Sequence, residues 1–250
     1  MILILYIIAL IRAILVFGSM AIFMLFYGIS CIFIKHTKER ALNLRMNYLK
    51  YIAIPVLNIK IIKEGNPQDG TALYVCNHRS FADPIVICRY LKAFVIAKAE
   101  VANYPIINKG AELTGVIWVD RNNKDSRSAT REKLTETIDQ GFNILVYPEG
   151  TVGIHKKTLP FRKGTFLEAA QNDIPVVPVA IEFRSHKDLW LKEKFIPQYL
   201  HQFSKWKTEV KVKFGAPMIH QNGEYLHQHS HEWINNELHL MQHNWSYCFK

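Results

Sequence analysis

The sequence predicts an α/β fold, a single domain with a central mixed sheet flanked by helices and preceded by an N-terminal membrane-associated helical segment. Residues 71–215 alternate short apolar runs with polar or amphipathic stretches, a pattern typical of strands alternating with helices. Residues 1–34 are apolar apart from the single charge of Arg12. A chain of 250 residues can bury one sizeable core and carry an anchor. We therefore expect membrane-anchoring helices over residues 1–57 and one domain over residues 58–250.

The anchor is predicted from the length of the apolar runs. Residues 1–11 are uncharged, Arg12 interrupts them, and residues 13–34 add 22 uncharged residues. A bilayer span needs about 20 apolar residues, so the second run is long enough. A cleaved signal peptide fits poorly, because no basic region precedes the run and the run exceeds the usual apolar length of about 7–15 residues. A buried core helix is the alternative, although such helices rarely stay apolar on every side for so long.

Basic residues follow the apolar runs directly. They are Lys35, Lys38, Arg40, Arg45 and Lys50. Positive charge beside an apolar segment favours the cytoplasmic side and attracts anionic lipid headgroups. Residues 38–57 mix these charges with leucine and isoleucine, as an interfacial helix does. We expect a protein associated with the cytoplasmic face of the inner or cell membrane.

The net charge of +10 and the pI near 9.4 restrict the partners. Nucleic acid is one candidate for so basic a chain. The apolar N-terminus makes anionic membrane lipids and acidic substrates the better explanation, and we expect no nucleic-acid partner. Residues 187–207 interleave aromatic and basic side chains, which predicts either an interfacial surface or an amphipathic helix covering the core. The four cysteines show no C-x-x-C spacing and are expected to be reduced thiols.

Six strands and two helices are predicted within the domain. The strands are residues 71–76, 93–97, 115–119, 143–147, 176–182 and 209–214. The clearest helix is 126–140, with Ser126 as its N-cap, Ala129, Leu134 and Ile138 on one face, and Gly141 at its end. A second, short helix is expected over residues 164–171.

His78 and Asp83 are the first candidate site residues. They follow the apolar run 72–76, which is typical of a buried strand. Within a helix their side chains would lie about 140° apart. Pro84, however, disfavours a helical conformation at Asp83 and suits the first helical position, so Asp83 can be an N-cap. The turn then brings His78 to the Asp83 carboxylate, which would fix the imidazole tautomer and leave one nitrogen free to take a proton. A purely structural hydrogen bond is the alternative.

Four blocks in the sequence resemble the signatures of the glycerolipid acyltransferases, the family of 1-acylglycerol-3-phosphate acyltransferase. The first is Asn77-His78-x-x-x-x-Asp83. The others are, in the family's order, 115–121 (GVIWVDR), 147–151 (YPEGT, followed by 159–164, LPFRKG) and 176–180 (VVPVA). Together they lie within residues 72–182, and the candidate site residues of the first three blocks follow directly on predicted strands. Ligands bind beyond the carboxyl ends of strands in open α/β sheets, so this placement favours a common site.

The resemblance implies transfer of a fatty acyl chain from an acyl-CoA or acyl-carrier-protein thioester to the free hydroxyl of a lysolipid, with lysophosphatidate as the default acceptor and phosphatidate as product. It implies no cofactor beyond that co-substrate. His78 would be the general base and Asp83 its orienting partner, so the acceptor hydroxyl attacks directly and no serine or cysteine nucleophile is needed. The resemblance also suggests that the N-terminal helices form a hairpin in one leaflet, whereas the residues alone leave a full span open.

The remaining substrate-binding candidates come from the same resemblance. Arg121 offers a bidentate fork for the acceptor phosphate, assisted by Lys98. Glu149, Gly150 and Thr151 resemble the acceptor-binding turn, where glycine permits close backbone approach and threonine supplies a hydroxyl. The structural alternatives are that Arg121 pairs with Asp120 or Glu132 and that residues 148–150 are only a turn.

Val152 departs from the family pattern, which usually has an arginine after Glu-Gly-Thr that holds the acceptor phosphate. Valine cannot donate to phosphate. Either a nearby cation substitutes, the candidates being Lys156, Lys157, Arg162 and Lys163, or the acceptor carries another headgroup, such as that of a lysophospholipid or of lyso-ornithine lipid.

Two further hypotheses belong to other classes. The histidines at 227, 229, 231, 239 and 243 raise the question of a metal, but they lack cysteine or dense carboxylate companions at zinc-site spacing, and we expect no metal. A non-catalytic lipid-binding membrane protein would have no need for His78 and Asp83. Acylation of a lysolipid panel would separate these possibilities.

Overall fold

One mixed sheet of seven strands organises the chain. The structure is a computed structural model that describes residues 2–99, 114–120, 124–243 and 245. The strands are β1 (Ile59–Glu64), β2 (Leu73–Cys76), β3 (Ala93–Lys98), β4 (Val116–Val119), β5 (Asn143–Val146), β6 (Val176–Phe183) and β7 (Thr208–Phe214). Their spatial order is β1-β7-β6-β2-β5-β3-β4, and every neighbouring pair is parallel except β6 and β7. The mixed sheet predicted from the sequence is confirmed.

The six predicted strands correspond to β2–β7, and β1 is the strand that the prediction missed. β2 and β6 are buried along their whole length because helices cover both faces of the sheet. β1 lies at an edge, beside β7, and only Ile59 is fully buried there. Lys60 and Lys63 interrupt its apolar residues, so β1 lacks the continuous apolar run that identified the inner strands.

Helices form a layer on each face of the sheet. They are α1 (Ile2–Phe33), α2 (Lys38–Tyr48), α3 (Ile54–Leu57), α4 (Asp83–Ile87), α5 (Lys124–Asp139), α6 (Gly164–Gln171), α7 (Phe195–Phe203) and α8 (Gly223–Gln242), with a π-helical turn at Leu49–Ala53 and a 3₁₀ turn at His186–Asp188. α5, α6 and α8 pack with Leu73 and Val75 on one face, whereas α1, α3, α4 and α7 pack with Tyr74 and Cys76 on the other. Alternate side chains of β2 thus enter two separate cores.

The two predicted domain helices are present, with differences at one of them. Residues 164–171 form α6 as predicted. α5 begins at Lys124, so Ser126 lies inside the helix and its hydroxyl accepts the N–H of Asp120 at 3.0 Å; the N-cap prediction is wrong. Ala129 is exposed, while Leu134 and Ile138 are buried. Gly141, at φ +84°, adopts the left-handed conformation typical just beyond a helix end.

Arg12 does not interrupt the apolar segment, because α1 runs through it without a break. Its guanidinium donates to the carbonyl oxygens of Phe203 (3.1 Å), Lys205 (2.7 Å) and Trp206 (2.7 Å), just beyond the end of α7. These distant acceptors stabilise a charge that the local sequence leaves unpaired. Among the described helices, α1 is the one long and apolar enough to cross a bilayer by length and composition.

α1 has two unlike sides. One stripe, including Ala9 and Val16, packs against the domain. The rest is exposed and apolar, with Leu3, Ile14, Ile32 and Phe33 among the most exposed side chains. An apolar surface of this extent is typical of a segment that contacts lipid.

The basic cluster after α1 is only partly directed to solvent. Arg45, expected to attract headgroups, turns inward and donates to the carbonyl oxygens of Thr114 (2.8 Å) and Ala93. Arg40 donates to the carbonyls of Ile34 and Lys35 at the end of α1. These carbonyls lie just before β4, at the start of β3 and just beyond the end of α1, where the long arginine side chains reach them.

The aromatic and basic segment 187–207 contains an amphipathic helix that covers the core, one of the two roles predicted for it, and the interfacial role stays a prediction. Tyr199 and Phe203 of α7 are buried, and Phe203 contacts Phe81 of the loop after β2 with ring centroids 5.8 Å apart. Ile196 and Trp206 are exposed on the outer side. The helix therefore covers the core and also presents apolar side chains beside α1.

Candidate active site

His78 and Asp83 meet as the sequence predicted. The loop between β2 and α4 brings His78 Nδ1 to 2.6 Å from Asp83 Oδ2. The same carboxylate oxygen accepts the N–H groups of Arg79 (2.7 Å) and Ser80 (3.0 Å). Asp83 was predicted as the N-cap of α4, but it is the first residue of that helix. Its side chain accepts hydrogen bonds from N–H groups of the loop that precedes the helix. Three donors converge on one buried oxygen, which fixes the loop around the imidazole.

The imidazole is held on two sides and open on a third. A carboxylate at Nδ1 selects the tautomer with the proton there and leaves Nε2 as the acceptor. Nε2 makes no hydrogen bond with any described residue, and the His78 side chain is 22% exposed. Tyr147 stacks on the ring with centroids 4.3 Å apart and planes at 24°. Burial raises the pKa of the Tyr147 phenol well above its ordinary value, so this stacking surface is uncharged.

Glu149 joins the third block to the first. Its Oε1 accepts the N–H of His78 and its Oε2 accepts the N–H of Leu159, both at 2.7 Å. Burial raises the pKa of Glu149, while the two N–H donors and the Arg79 guanidinium oppose that rise. Both oxygens are occupied by backbone amides, so this carboxylate positions two loops beside the imidazole.

Gly150 is the centre of the segment 147–153, called here the Gly150 turn. Its φ of +76° is a conformation that suits glycine. Gly150 N–H donates to Tyr147 O at 3.0 Å, and Gly153 N–H donates to His78 O at 2.7 Å. The N–H groups of Thr151 and Val152 make no hydrogen bond within the described residues. The Gly150 turn therefore packs against His78 and carries two backbone N–H donors that have no partner among the described residues.

Arg79 is the residue that sequence reasoning missed. Its buried guanidinium donates to the carbonyls of Gly153 (3.1 Å), His155 and Lys156 (2.9 Å) and contacts Glu182 Oε2 at 3.1 Å. It holds the chain after the Gly150 turn against the loop of His78. The available signal was Glu182, an acid inside the apolar run of β6, because a buried carboxylate requires a partner.

The structure describes three of the other predicted binding residues, Lys98, Thr151 and Lys163. Lys98 ends β3 and is exposed. Because strands lie about 4.8 Å apart and β5 separates β3 from β2, Lys98 starts about 10 Å from the His78 loop. Thr151 is exposed on the Gly150 turn, and Lys163 pairs with Glu224 at 2.8 Å. Arg121 lies outside the described residues, two residues beyond the end of β4.

The C-terminal histidines have other partners. His227 Nε2 lies 3.0 Å from the carbonyl oxygen of Phe161, and His231 Nε2 lies 2.9 Å from Thr158 Oγ1. The described part of the chain contains no group of three or more histidine, cysteine, aspartate or glutamate side chains arranged to hold a metal. Cys31, Cys76 and Cys88 are free thiols, and burial raises the pKa of Cys76 and Cys88.

The site thus combines a histidine paired with a carboxylate and a glycine turn at the carboxyl edge of a largely parallel sheet, an arrangement suited to general acid–base chemistry. Residues 58–182 match the model of the acyltransferase family, and the chain belongs to that family.

Individual relatives agree with this membership. The 1-acyl-sn-glycerol-3-phosphate acyltransferase of Cocos nucifera is 28% identical over 66% of this chain and 57% of its own length. The lyso-ornithine lipid O-acyltransferase of Pseudomonas aeruginosa is 31% identical over 51% of this chain and 49% of its own. The chain spans about half the length of the curated relatives it matches.

One solved structure shares the whole fold. It is the 1-acyl-sn-glycerophosphate (LPA) acyltransferase PlsC from Thermotoga maritima, which matches with a TM-score of 0.75 over 97% of both chains at 22% identity. The match covers α1 as well as the sheet, so the fold of the N-terminal segment belongs to the comparison too.

Proposed function

We propose that this protein transfers a fatty acyl chain from an acyl-CoA or acyl-carrier-protein thioester to the free hydroxyl of a lysolipid, with lysophosphatidate as acceptor and phosphatidate as product. The observation that carries the proposal is the contact of 2.6 Å between His78 Nδ1 and Asp83 Oδ2, which leaves Nε2 without a partner among the described residues. Membership of the acyltransferase family supports the same reaction.

The proposed reaction transfers the acyl group directly from the thioester to the acceptor, without a covalent acyl-enzyme. His78 Nε2 takes the proton of the acceptor hydroxyl while the hydroxyl oxygen attacks the thioester carbonyl carbon. The resulting tetrahedral oxyanion collapses, the C–S bond breaks, and the imidazolium returns the proton to the leaving thiolate. Asp83 stabilises the imidazolium between these steps. The products are the acylated lipid and the free thiol of the carrier.

The oxyanion needs preorganised donors close to the base. The backbone N–H groups of Thr151 and Val152 meet this need, since they lie on the turn that touches His78 and have no partner in the described residues. Glu149 and Arg79 hold that turn in place through backbone contacts. Glu149 thereby contributes to acceptor binding as a positioning residue.

We also propose that α1 anchors the protein at the cytoplasmic face of the membrane. The exposed apolar side of α1, the exposed Trp206 and the basic residues Lys35 and Lys50 support an orientation toward anionic lipids. The active site then lies near the surface from which a lysolipid is drawn.

A second acceptor class is favoured by one observation. The side chain of Val152 cannot donate to a phosphate monoester, and one relative is named as a lyso-ornithine lipid O-acyltransferase. An acceptor with an amino-acid or phosphodiester headgroup is therefore the second candidate within the same reaction.

The test is acylation of a lysolipid panel by the full-length protein in phospholipid vesicles. Acyl-CoA and acyl-carrier protein serve as donors, and lysophosphatidate, lysophosphatidylcholine and lyso-ornithine lipid as acceptors, with release of thiol and formation of diacyl product as readouts. His78→Ala should lower turnover by about 10²–10⁴-fold, the contribution of a positioned base. The absence of product with every acceptor, or an unimpaired His78→Ala variant, would refute the proposal.

A further inference from the structure

Arg162 lies directly against the Gly150 turn. A Cβ atom built on Gly150 would be 2.8 Å from Arg162 Nε and 3.0 Å from Arg162 Cζ. The N–H of Arg162 donates to Pro148 O at 2.9 Å, which fixes its backbone to the same turn. Glycine at position 150 thus permits both the positive φ of the turn and the close approach of the Arg162 guanidinium.

The Arg162 guanidinium is available for a ligand. Its side chain is exposed, and it makes no hydrogen bond or ion pair with any described residue. The neighbouring cations differ in this respect. Arg79 is buried with all its contacts inside the protein, and Lys163 pairs with Glu224. Lys156 and Lys157 are exposed, but a lysine ammonium offers a point charge where arginine offers a planar fork.

We infer that Arg162 determines acceptor specificity by binding the phosphate monoester of the acceptor, in the role that position 152 cannot fill. This inference rests on the proposed function. It deepens that function by selecting, between the two acceptor classes, the lysolipid with a terminal phosphate.

The geometry of the acceptor agrees with this assignment. In lysophosphatidate the carbon next to the attacked hydroxyl leads to the phosphate, so the phosphate must lie beside the base. The Gly150 turn meets this condition, because Gly153 N–H donates to His78 O at 2.7 Å. A phosphate monoester has three terminal oxygens and accepts bidentate hydrogen bonds from a guanidinium. A phosphodiester has fewer such oxygens and less charge, and it gains less from the same fork.

The first experiment measures steady-state kinetics of Arg162→Met in the full-length protein in vesicles, because methionine retains much of the apolar stem and removes the donors. We expect kcat/KM for lysophosphatidate to fall by about 10- to 100-fold, as for the loss of charge-assisted hydrogen bonds, mainly through KM. The KM for the thioester donor and the use of lysophosphatidylcholine should change far less. Arg131→Met is the control, since Arg131 is a partly exposed arginine on α5 whose ion-pair partner is Glu168 of α6.

The second experiment places an arginine at the neighbouring position of the turn. Val152→Arg, added to Arg162→Met, should restore at least tenfold of the lost kcat/KM for lysophosphatidate. An Arg162→Met variant with unchanged kcat/KM, an equal loss for every acceptor, or no recovery in the double variant would overturn the inference. A wild-type protein that acylates no lysolipid would instead refute the proposed function, so the two failures are distinguishable.

Discussion

Asp83→Asn removes the negative charge beside His78 while retaining the shape of the side chain. Asp83 Oδ2 accepts three hydrogen bonds, from His78 Nδ1 (2.6 Å), Arg79 N (2.7 Å) and Ser80 N (3.0 Å). An asparagine carbonyl oxygen can accept all three. Its amide nitrogen must then occupy the place of Oδ1, which is buried and has no partner within the described residues. An unsatisfied buried donor costs about 1–3 kcal/mol, so we expect the free energy of unfolding to fall by that amount.

The effect on turnover should be much larger than the effect on stability. The amide cannot stabilise the imidazolium, and we expect turnover to fall by about 10²–10⁴-fold. Turnover is measured by thiol release at saturating lysolipid, and stability by denaturant unfolding. Asp173→Asn is the matched control, because Asp173 is exposed and its φ of +49° also suits asparagine.

A double variant separates a role through His78 from a general structural role. If Asp83 acts through His78, the change Asp83→Asn should cost little further turnover in a His78→Ala background. Multiplicative losses in the double variant, or an Asp83→Asn enzyme within tenfold of wild type, would refute the assignment of Asp83 as the orienting partner.

Three further predictions concern the anchor, the turn and a buried acid. Full-length protein should sediment with membranes and resist a high-salt wash, since lipid burial of residues 1–57 is not screened as surface charge is; quantitative release by salt alone would contradict the anchor. Gly150→Ala should lower the free energy of unfolding by about 1–2 kcal/mol through its positive φ alone and displace Arg162; denaturant unfolding with unchanged stability would contradict this. Burial raises the pKa of Asp188 from 3.8 to about 6, with Lys205 opposing the rise. Because the folded-state pKa is the higher one, the stabilising contribution is complete below pH 3.8 and is lost as pH rises through about 6. Asp188→Asn should lack this loss, so wild-type stability relative to the variant should fall by about 3 kcal/mol between pH 3 and pH 8, measured by unfolding at each pH. A constant difference would count against the shift.

The sequence predicted those parts of the fold that depend on local patterns. Continuous apolar runs identified the inner strands, because a strand covered on both faces has no polar side. The same criterion missed β1, whose edge position leaves Lys60 and Ile62 exposed. The contact of His78 with Asp83 was predictable because Pro84 restricts the backbone within a loop of a few residues.

The parts that were not predictable depend on partners far apart in the chain. Arg79 is explained by Glu182, which lies 103 residues later. Arg12 was taken as a break between two apolar segments because its acceptors lie more than 190 residues away. In each case the local sequence contains a charge, and only the folded chain supplies the group that compensates it.

The contact between Arg12 and the end of α7 has a consequence for the order of events during synthesis. α1 leaves the ribosome before α7, and Phe203 follows Arg12 by 191 residues. At about 5–20 residues per second, the interval between them is about 10–40 s. Throughout that time α1 carries a cation with none of its final acceptors. Slow completion of α7 would therefore prolong an intermediate in which Arg12 lacks these carbonyl acceptors and the apolar side chains of α1 are exposed.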